Sequence, residues 1–366
     1  MSSELIYLDA NATEPLRPAA RAAALAAMDL GNPSSIHQPG RAARRVLEDA
    51  REALARFFAA SPADVVFTSG ATEANALAIQ ALGAGRPLLI GATEHDAIRA
   101  AAPQAGIIPV LPSGVVDLAA LAALLAQAPG ALVCLMAANN ETGVLHPISQ
   151  AAALCAADGA LLHVDAAQAA ARAPQGWLAM GTASLAISGH KFGGPMGAGA
   201  LITAPGHLIQ PALRGGGQER GRRGGTPALP AIAGLAAALA EPYDALSIAS
   251  YRDEIEAFCI KFGAVALGAG APRLPNTLCL ALPGVKAETQ LIALDLAGFA
   301  VSAGAACSSG KVAASHVLLA MGESELAAQA IRVSLPWNFN PTAIPAFCRA
   351  YQTMAQRALH GQPHCA

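Results

Sequence analysis

The 366-residue sequence predicts an α/β protein, with a large, mostly parallel, doubly wound sheet and a smaller α+β domain. Three observations predict it. Short apolar runs alternate with helical stretches through most of the chain. Hydrophobic residues make up 54% and charged residues 13%, which supplies a large core and excludes global disorder. The texture changes after about Ala249, so residues 15–249 are assigned to the large domain. Residues 1–14 and 250–366 are assigned to the small one.

In chain order, Arg41–Phe58 reads as an amphipathic helix with Val46, Leu47, Ala50, Leu54, Phe57 and Phe58 on one side. Val65–Thr68, Pro87–Ile90, Ala131–Met136, Leu161–Val164, Leu185–Ser188 and Gly199–Thr203 read as strands. Glu73–Ala81, Leu118–Gln127 and Ile148–Ala157 read as the helices between them. Arg214–Pro230 (RGGGQERGRRGGTPALP) is rich in Gly and Arg and reads as an exposed loop. Farther on, Thr277–Pro283 and Phe299–Ser302 read as strands, and Lys286–Ala297 and His316–Met321 as helices.

Composition excludes several classes. The net charge of -2 leaves no basic excess for phosphates, and 4% aromatic content provides no base-stacking platform, so nucleic acid is not expected as a partner. The apolar stretch Ala119–Ala138 is broken by Gln127, Pro129 and Gly130, and Pro227–Ala240 is too short to span a bilayer. The first residues, MSSELIY, lack a basic n-region and an apolar h-region, so a soluble cytoplasmic protein is expected, without membrane association. None of the seven cysteines forms a C-x-x-C pair; free thiols and no metal site are expected.

The chemistry starts from lysine. The chain has four: Lys191, Lys261, Lys286 and Lys311. Lys191 follows an apolar strand in SLAISGHKFGG, amid glycines. Asp165 ends the apolar run LLHVD, where open α/β sheets place ligands. Such a carboxylate and lysine fit pyridoxal 5'-phosphate: the lysine forms the Schiff base, and the aspartate keeps the pyridine nitrogen protonated. VVFTSGATEAN supplies Gly70, Ala71 and Thr72 at a strand-to-helix turn, where backbone N–H groups favour a phosphate. Taken singly, Asp165 also reads as an N-cap, Lys191 as a loop lysine, and the Ser/Thr-x-x-Glu pattern as a capping box.

Together these segments resemble the cysteine desulfurases of the class V aminotransferase superfamily, of the iron–sulfur and nitrogen-fixation branch. Matching segments run from YLDANATEP to AIRVSL: GNPSSIHQPGR, VVFTSGATEAN, TEHDAI, ANNETG, HVDAAQ, SGHKFGGPMGAGAL, GGGQERGRRGGT and AGAACSSGKVAASHVLLAMG. The resemblance implies fold type I, with a seven-stranded sheet in the large domain. It implies that Lys191 carries the cofactor and Asp165 pairs with its ring nitrogen. Gln168 pairs with the ring oxygen, and His95 stacks on the ring and moves protons. Ala71, Thr72, Ser188 and His190 hold the phosphate, and Thr226 reaches the phosphate of a neighbouring subunit in a homodimer. Asn140 and Arg332 grip the substrate carboxylate, a task suited to the arginine fork. Alone, His95 reads as a surface or core histidine, Asn140 as a turn residue and Arg332 as half of an ion pair.

Six cysteines have bland contexts: Cys134 and Cys279 in strand-like runs, Cys155, Cys259 and Cys348 in helical patterns, and Cys365 near the end of the sequence. Cys307 differs, because GAACSSGK is a loop of small residues with little to bury, and Lys311 is near. An exposed loop thiol is a nucleophile. The expected reaction converts L-cysteine to L-alanine and leaves a persulfide on Cys307, from which sulfur passes to an iron–sulfur scaffold or another acceptor. The alternatives are a class V transaminase or selenocysteine lyase, or a non-catalytic sulfur carrier. The chain departs from the family's pattern at Glu14 (usually Thr), Ala303 and Ala305 (often Ser), Gln218 (often His) and Pro336 (usually Gly).

Overall fold

A computed structural model describes residues 5–304 and 313–360. In chain order its strands are β1 (Ile6–Tyr7), β2 (Val65–Thr68), β3 (Leu88–Gly91), β4 (Gly106–Ile108), β5 (Leu132–Met136), β6 (Leu161–Asp165) and β7 (Ser184–Ser188). They continue with β8 (Gly199–Thr203), β9 (Val265–Ala266), β10 (Thr277–Ala281), β11 (Phe299–Ala300), β12 (Ser302–Ala303) and β13 (Ala330–Ser334).

Among the described residues, β2 to β8 form the expected seven-stranded sheet, in the order β2-β8-β7-β6-β5-β3-β4. Every residue of β2, β5, β7 and β8 is buried. Continuous apolar runs of this kind suit a sheet covered on both faces. The pairs β4–β3, β3–β5, β5–β6 and β6–β7 are parallel, whereas β8 runs antiparallel to both β7 and β2. It follows that β2 runs the same way as β7. The residues after β2, β3, β5, β6 and β7 therefore emerge on one edge, where ligands bind in open α/β sheets.

Several elements have the expected bounds, including helices Leu118–Gln127 and Ile148–Ala157. The first amphipathic helix begins earlier, spanning Gln38–Phe57, because His37 Nδ1 caps it by accepting from the Gly40 N–H. Leu47, Ala50, Leu54 and Phe58 are buried as expected, although Phe58 lies just past the last turn, but Phe57 is 39% exposed. Arg51 shares the buried face instead. Its guanidinium makes two 2.8 Å bonds to Glu219, which lies in the loop read as exposed. That loop corrects the expectation in part: Glu219 is buried, and it and Arg220 hold left-handed φ values of 49° and 58°. β4 escaped prediction because it is only three residues long. Helix Pro18–Met28 escaped because PAARAAALAAM shows little contrast between faces.

A second, antiparallel sheet has the order β12-β13-β10-β9, and β1 pairs in parallel with β11. The Phe299–Ser302 run is thus split between two sheets. Leu8, Ile255, Leu280, Leu294, Ile331, Phe347 and Tyr351 form the core beside them. After β1 the chain runs along β13 to the edge of the large sheet: the Asn11 N–H donates to Ser334 Oγ (3.0 Å) and the Glu14 N–H to the His190 carbonyl (2.8 Å). Among the described residues, no single helix is long and apolar enough to cross a membrane.

Candidate active site

A cavity of about 580 Å³ opens at that sheet edge. Ala71, Thr72, His95, Asn140, Asp165, Gln168, Ser188, His190, Lys191 and Arg332, all expected as site residues, line it. Ala71 to Lys191 meet there because the parallel strands deliver their C-terminal ends to one edge, and Arg332 joins them from β13 of the second sheet.

Lys191 sits in the turn after β7. Its Nζ donates to the carbonyls of Asn11 (2.8 Å) and Ala12 (3.1 Å). Burial, then the charges of Arg332 and Arg172, hold the amine down to about 8, against the opposing pull of Asp165 and Asp9. Such an amine loses its proton near neutral pH and becomes a nucleophile.

Asp165 ends β6. Its Oδ2 accepts from Asn75 Nδ2 at 2.7 Å and its Oδ1 from the Ala167 N–H at 2.9 Å. Burial pushes the carboxyl up, while the Ala167 N–H, Asn75, His95 and Lys191 pull it down. Behind it, Asn75 Oδ1 lies 2.9 Å from His163 Nε2, and His163 Nδ1 lies 2.7 Å from Ser184 Oγ. Burial pushes His163 down to about 3, so its ring is neutral. Since Asn75 spends its N–H on Asp165, its oxygen accepts from His163 Nε2–H, and Nδ1 accepts from Ser184. The sequence reading missed Asn75 and His163. The signals were available: His163 lies two residues before Asp165 on one strand face, and Asn75 lies one turn after Ala71.

Helix Ala71–Leu82 starts at Gly70 with no side-chain cap. Gly70, not Ser or Thr, stands three residues before Glu73, so the capping-box reading fails: Glu73 accepts from the Ser69 N–H (2.8 Å) and binds Arg223. The first-turn N–H groups remain available to an anion. Ser188 and His190 also line this cavity. Burial and then Lys191 hold His190 down to about 4, and its Nδ1 lies 3.1 Å from Thr13 Oγ1. Close approach matters here: a Cβ on Gly199 would lie 2.5 Å from the Ile187 carbonyl and 2.6 Å from Gly70 Cα.

His95 caps the short helix Asp96–Arg99, with Nδ1 accepting from the Ala97 N–H at 3.0 Å. Arg332 donates to Asp9 Oδ1 (2.7 Å) and to the Asn140 carbonyl (3.1 Å), so it belongs to an ion pair as well as to the cavity wall. Thr226 is exposed and does not line this cavity; it borders a smaller one of about 150 Å³ that also touches Ser69 and Gly197. Cys307, Ala305, Lys311 and Cys365 lie outside the described residues. The five described cysteines are buried, and burial pushes their thiols up, Cys155 to about 12 and Cys348 to about 11. Glu14, the departure noted above, forms a buried ion pair with Arg172.

Pyridoxal 5'-phosphate fits these residues. An uncapped helix start suits a phosphate, a buried carboxylate suits a protonated ring nitrogen, and a lysine held by two carbonyls, with no direct carboxylate partner among the described residues, suits an aldehyde. The fold and cavity therefore define a pyridoxal-phosphate enzyme of fold type I.

Residues 6–343 match the aminotransferase class-V family. A cysteine desulfurase of Cereibacter sphaeroides is 41% identical over 352 residues, covering 91% of each chain. A NifS-like protein from Rickettsia africae superposes with a TM-score of 0.89 at 33% identity, covering 96% of this chain and 100% of the other. SspA in complex with cysteine superposes with a TM-score of 0.78 at 26% identity, covering 92% of this chain and 100% of the other. The chain belongs to the class-V aminotransferase family, within its cysteine desulfurases.

Proposed function

We infer that the protein is a cysteine desulfurase that converts L-cysteine to L-alanine and retains the sulfur as a persulfide on Cys307. The carrying observation is that Lys191 and Asp165, 26 positions apart, line one cavity in a chain of this family. When bound, pyridoxal phosphate supplies the electron sink for charge released at the substrate Cα.

The chain's residues divide the remaining work. Asp165, held by Asn75 and the Ala167 N–H, accepts from the ring nitrogen, and Gln168 donates to the ring oxygen. The first turn at Ala71 and Thr72, with Ser188 and His190, holds the phosphate. Arg332 and Asn140 hold the substrate carboxylate. His95 would stack on the ring, and Nε2 would carry the proton because Nδ1 is spent on its own helix. Lys191 removes the Cα proton. The Cys307 thiolate attacks the substrate sulfur, so an S–S bond forms as the C–S bond breaks. The three-carbon fragment takes up protons and leaves as alanine, and an acceptor thiol or iron–sulfur scaffold then takes the persulfide sulfur.

The exposed position of Thr226, outside its own chain's main cavity, supports a homodimer in which it reaches the partner's phosphate; a cytoplasmic location completes this reading. A division into two domains is part of this reading and is supported by the separate core around the second sheet; the expected boundary at about Ala249 falls inside helix Ala245–Lys261, whose Ile248 and Ile255 both belong to that core, so the boundary of this reading moves to the start of the helix.

The test is incubation of the purified yellow protein with L-cysteine and excess dithiothreitol, which reduces the persulfide and releases its outer sulfur as sulfide, with alanine and sulfide measured. The expected result is equal output from the wild type and neither product from Lys191→Ala or Cys307→Ala. Wild-type alanine and sulfide output from Cys307→Ala would reject the persulfide step and favour another class V reaction. A colourless wild-type protein, lacking the cofactor's band, would favour a non-catalytic carrier.

A further inference from the structure

Arg172 lies four residues past Gln168 in the turns after β6, and its side chain is 1% exposed, as is that of Glu14. A buried guanidinium is costly unless its charge is paired and its donors are used. Here the charge is paired and both terminal nitrogens are used, although Nε is buried without a partner among the described residues: Nη2 donates to Glu14 Oε2 at 2.5 Å and to the Ala10 carbonyl at 3.0 Å. Nη1 donates to Gln168 Oε1 at 2.5 Å. Glu14 Oε1 accepts from the Trp337 N–H at 2.7 Å. One ion pair thus ties the N-terminal segment, the turn after β6 and the chain leaving β13.

The consequence falls on Gln168. A carboxamide has an acceptor oxygen and a donor nitrogen, and a guanidinium has donors only. The Gln168 oxygen is therefore committed to Arg172. Its Nε2 donates to the Asn11 carbonyl at 3.0 Å, the same carbonyl that holds Lys191 Nζ. A flipped amide would set N–H groups against the guanidinium and two carbonyl oxygens against each other.

We propose that the Glu14–Arg172 pair is a positioning device for the cofactor site: it locks the Gln168 amide so that an N–H, rather than an oxygen, meets the ring oxygen. Glu14 supplies the charge that lets Arg172 stay buried, and Arg172 fixes the amide. The proposal rests on the pairing of Gln168 with that oxygen made above.

The test is a cycle of replacements in the holoenzyme. Glu14→Met/Arg172→Met removes both charges together, so neither is left buried alone. It is made with Gln168 intact and with Gln168→Leu. The readouts are the dissociation constant of pyridoxal phosphate and the pH midpoint of the visible band. With Gln168 intact, the double replacement weakens retention by about tenfold, as expected for loss of one aligned hydrogen bond, and moves the midpoint. In the Gln168→Leu background it changes neither further. Equal changes in both backgrounds, or none with Gln168 intact, overturn the proposal while the Gln168 assignment stands. A Gln168→Leu variant that keeps wild-type retention and midpoint overturns that assignment and the proposal with it. Arg172→Lys, which keeps the charge facing Glu14 but lacks the fork, is read in the same two backgrounds. Additive effects there count against the proposal even if the double variant does not fold.

Discussion

Lys191 offers the sharpest quantitative prediction. Its amine is held at about 8 rather than 10.5 by burial and by the charges of Arg332 and Arg172. At pH 7 this leaves roughly 10% of the amine neutral, against roughly 0.03% for an unperturbed lysine, a gain of about 300-fold in the form that attacks an aldehyde. The assay is uptake of pyridoxal phosphate by the cofactor-free protein, followed by the visible band from pH 6 to 10. The rate should climb about tenfold per pH unit below 8 and level off above it. Arg332→Met, which removes the largest charge contribution, should move the bend upward. A rate still climbing tenfold per unit beyond pH 9 would refute the reasoning. Stability follows with a definite sign. The folded-state value lies below the unfolded one, so between about 8 and 10.5 the unfolded chain binds more protons. The cofactor-free protein should therefore gain about 3 kcal/mol across that window relative to Lys191→Met. The penalty is complete below 8 and absent above 10.5.

Two further outcomes are expected. Asn75→Leu leaves the buried Asp165 and His163 each short of a partner, and should cost about 2 kcal/mol in urea unfolding while weakening cofactor retention; a variant with wild-type retention would remove Asn75 from the site. Glu219→Gln breaks a doubly hydrogen-bonded pair whose side chains are both 2% exposed, and should cost about 3–5 kcal/mol in urea unfolding. Because the residue has a left-handed φ, hydrogen exchange in residues 214–226 should rise more than in the large sheet.

The sequence by itself determined the sheet and most of the cavity. Runs such as Val65–Thr68 and Gly199–Thr203 are strands because continuous apolar segments suit a sheet covered on both faces, and their order fixed which turns could carry chemistry. Lys191 and Asp165 were legible only as a set with the turn at residues 70–72, because a lysine, a carboxylate and a phosphate-binding turn at strand ends together match one cofactor, whereas each alone has an ordinary structural reading. The tertiary structure alone decided what depends on residues distant in sequence. The partners of Arg172 at Ala10 and Glu14 are more than 150 positions away, and the Lys191 amine is held by carbonyls of Asn11 and Ala12. It also decided that Arg51 would be buried on a helix face read as apolar, because its charge is met by Glu219 in a loop that composition marks as exposed. Local periodicity records which face is apolar. It does not record where a buried charge finds its counter-charge, because that contact exists only once the chain has closed around it.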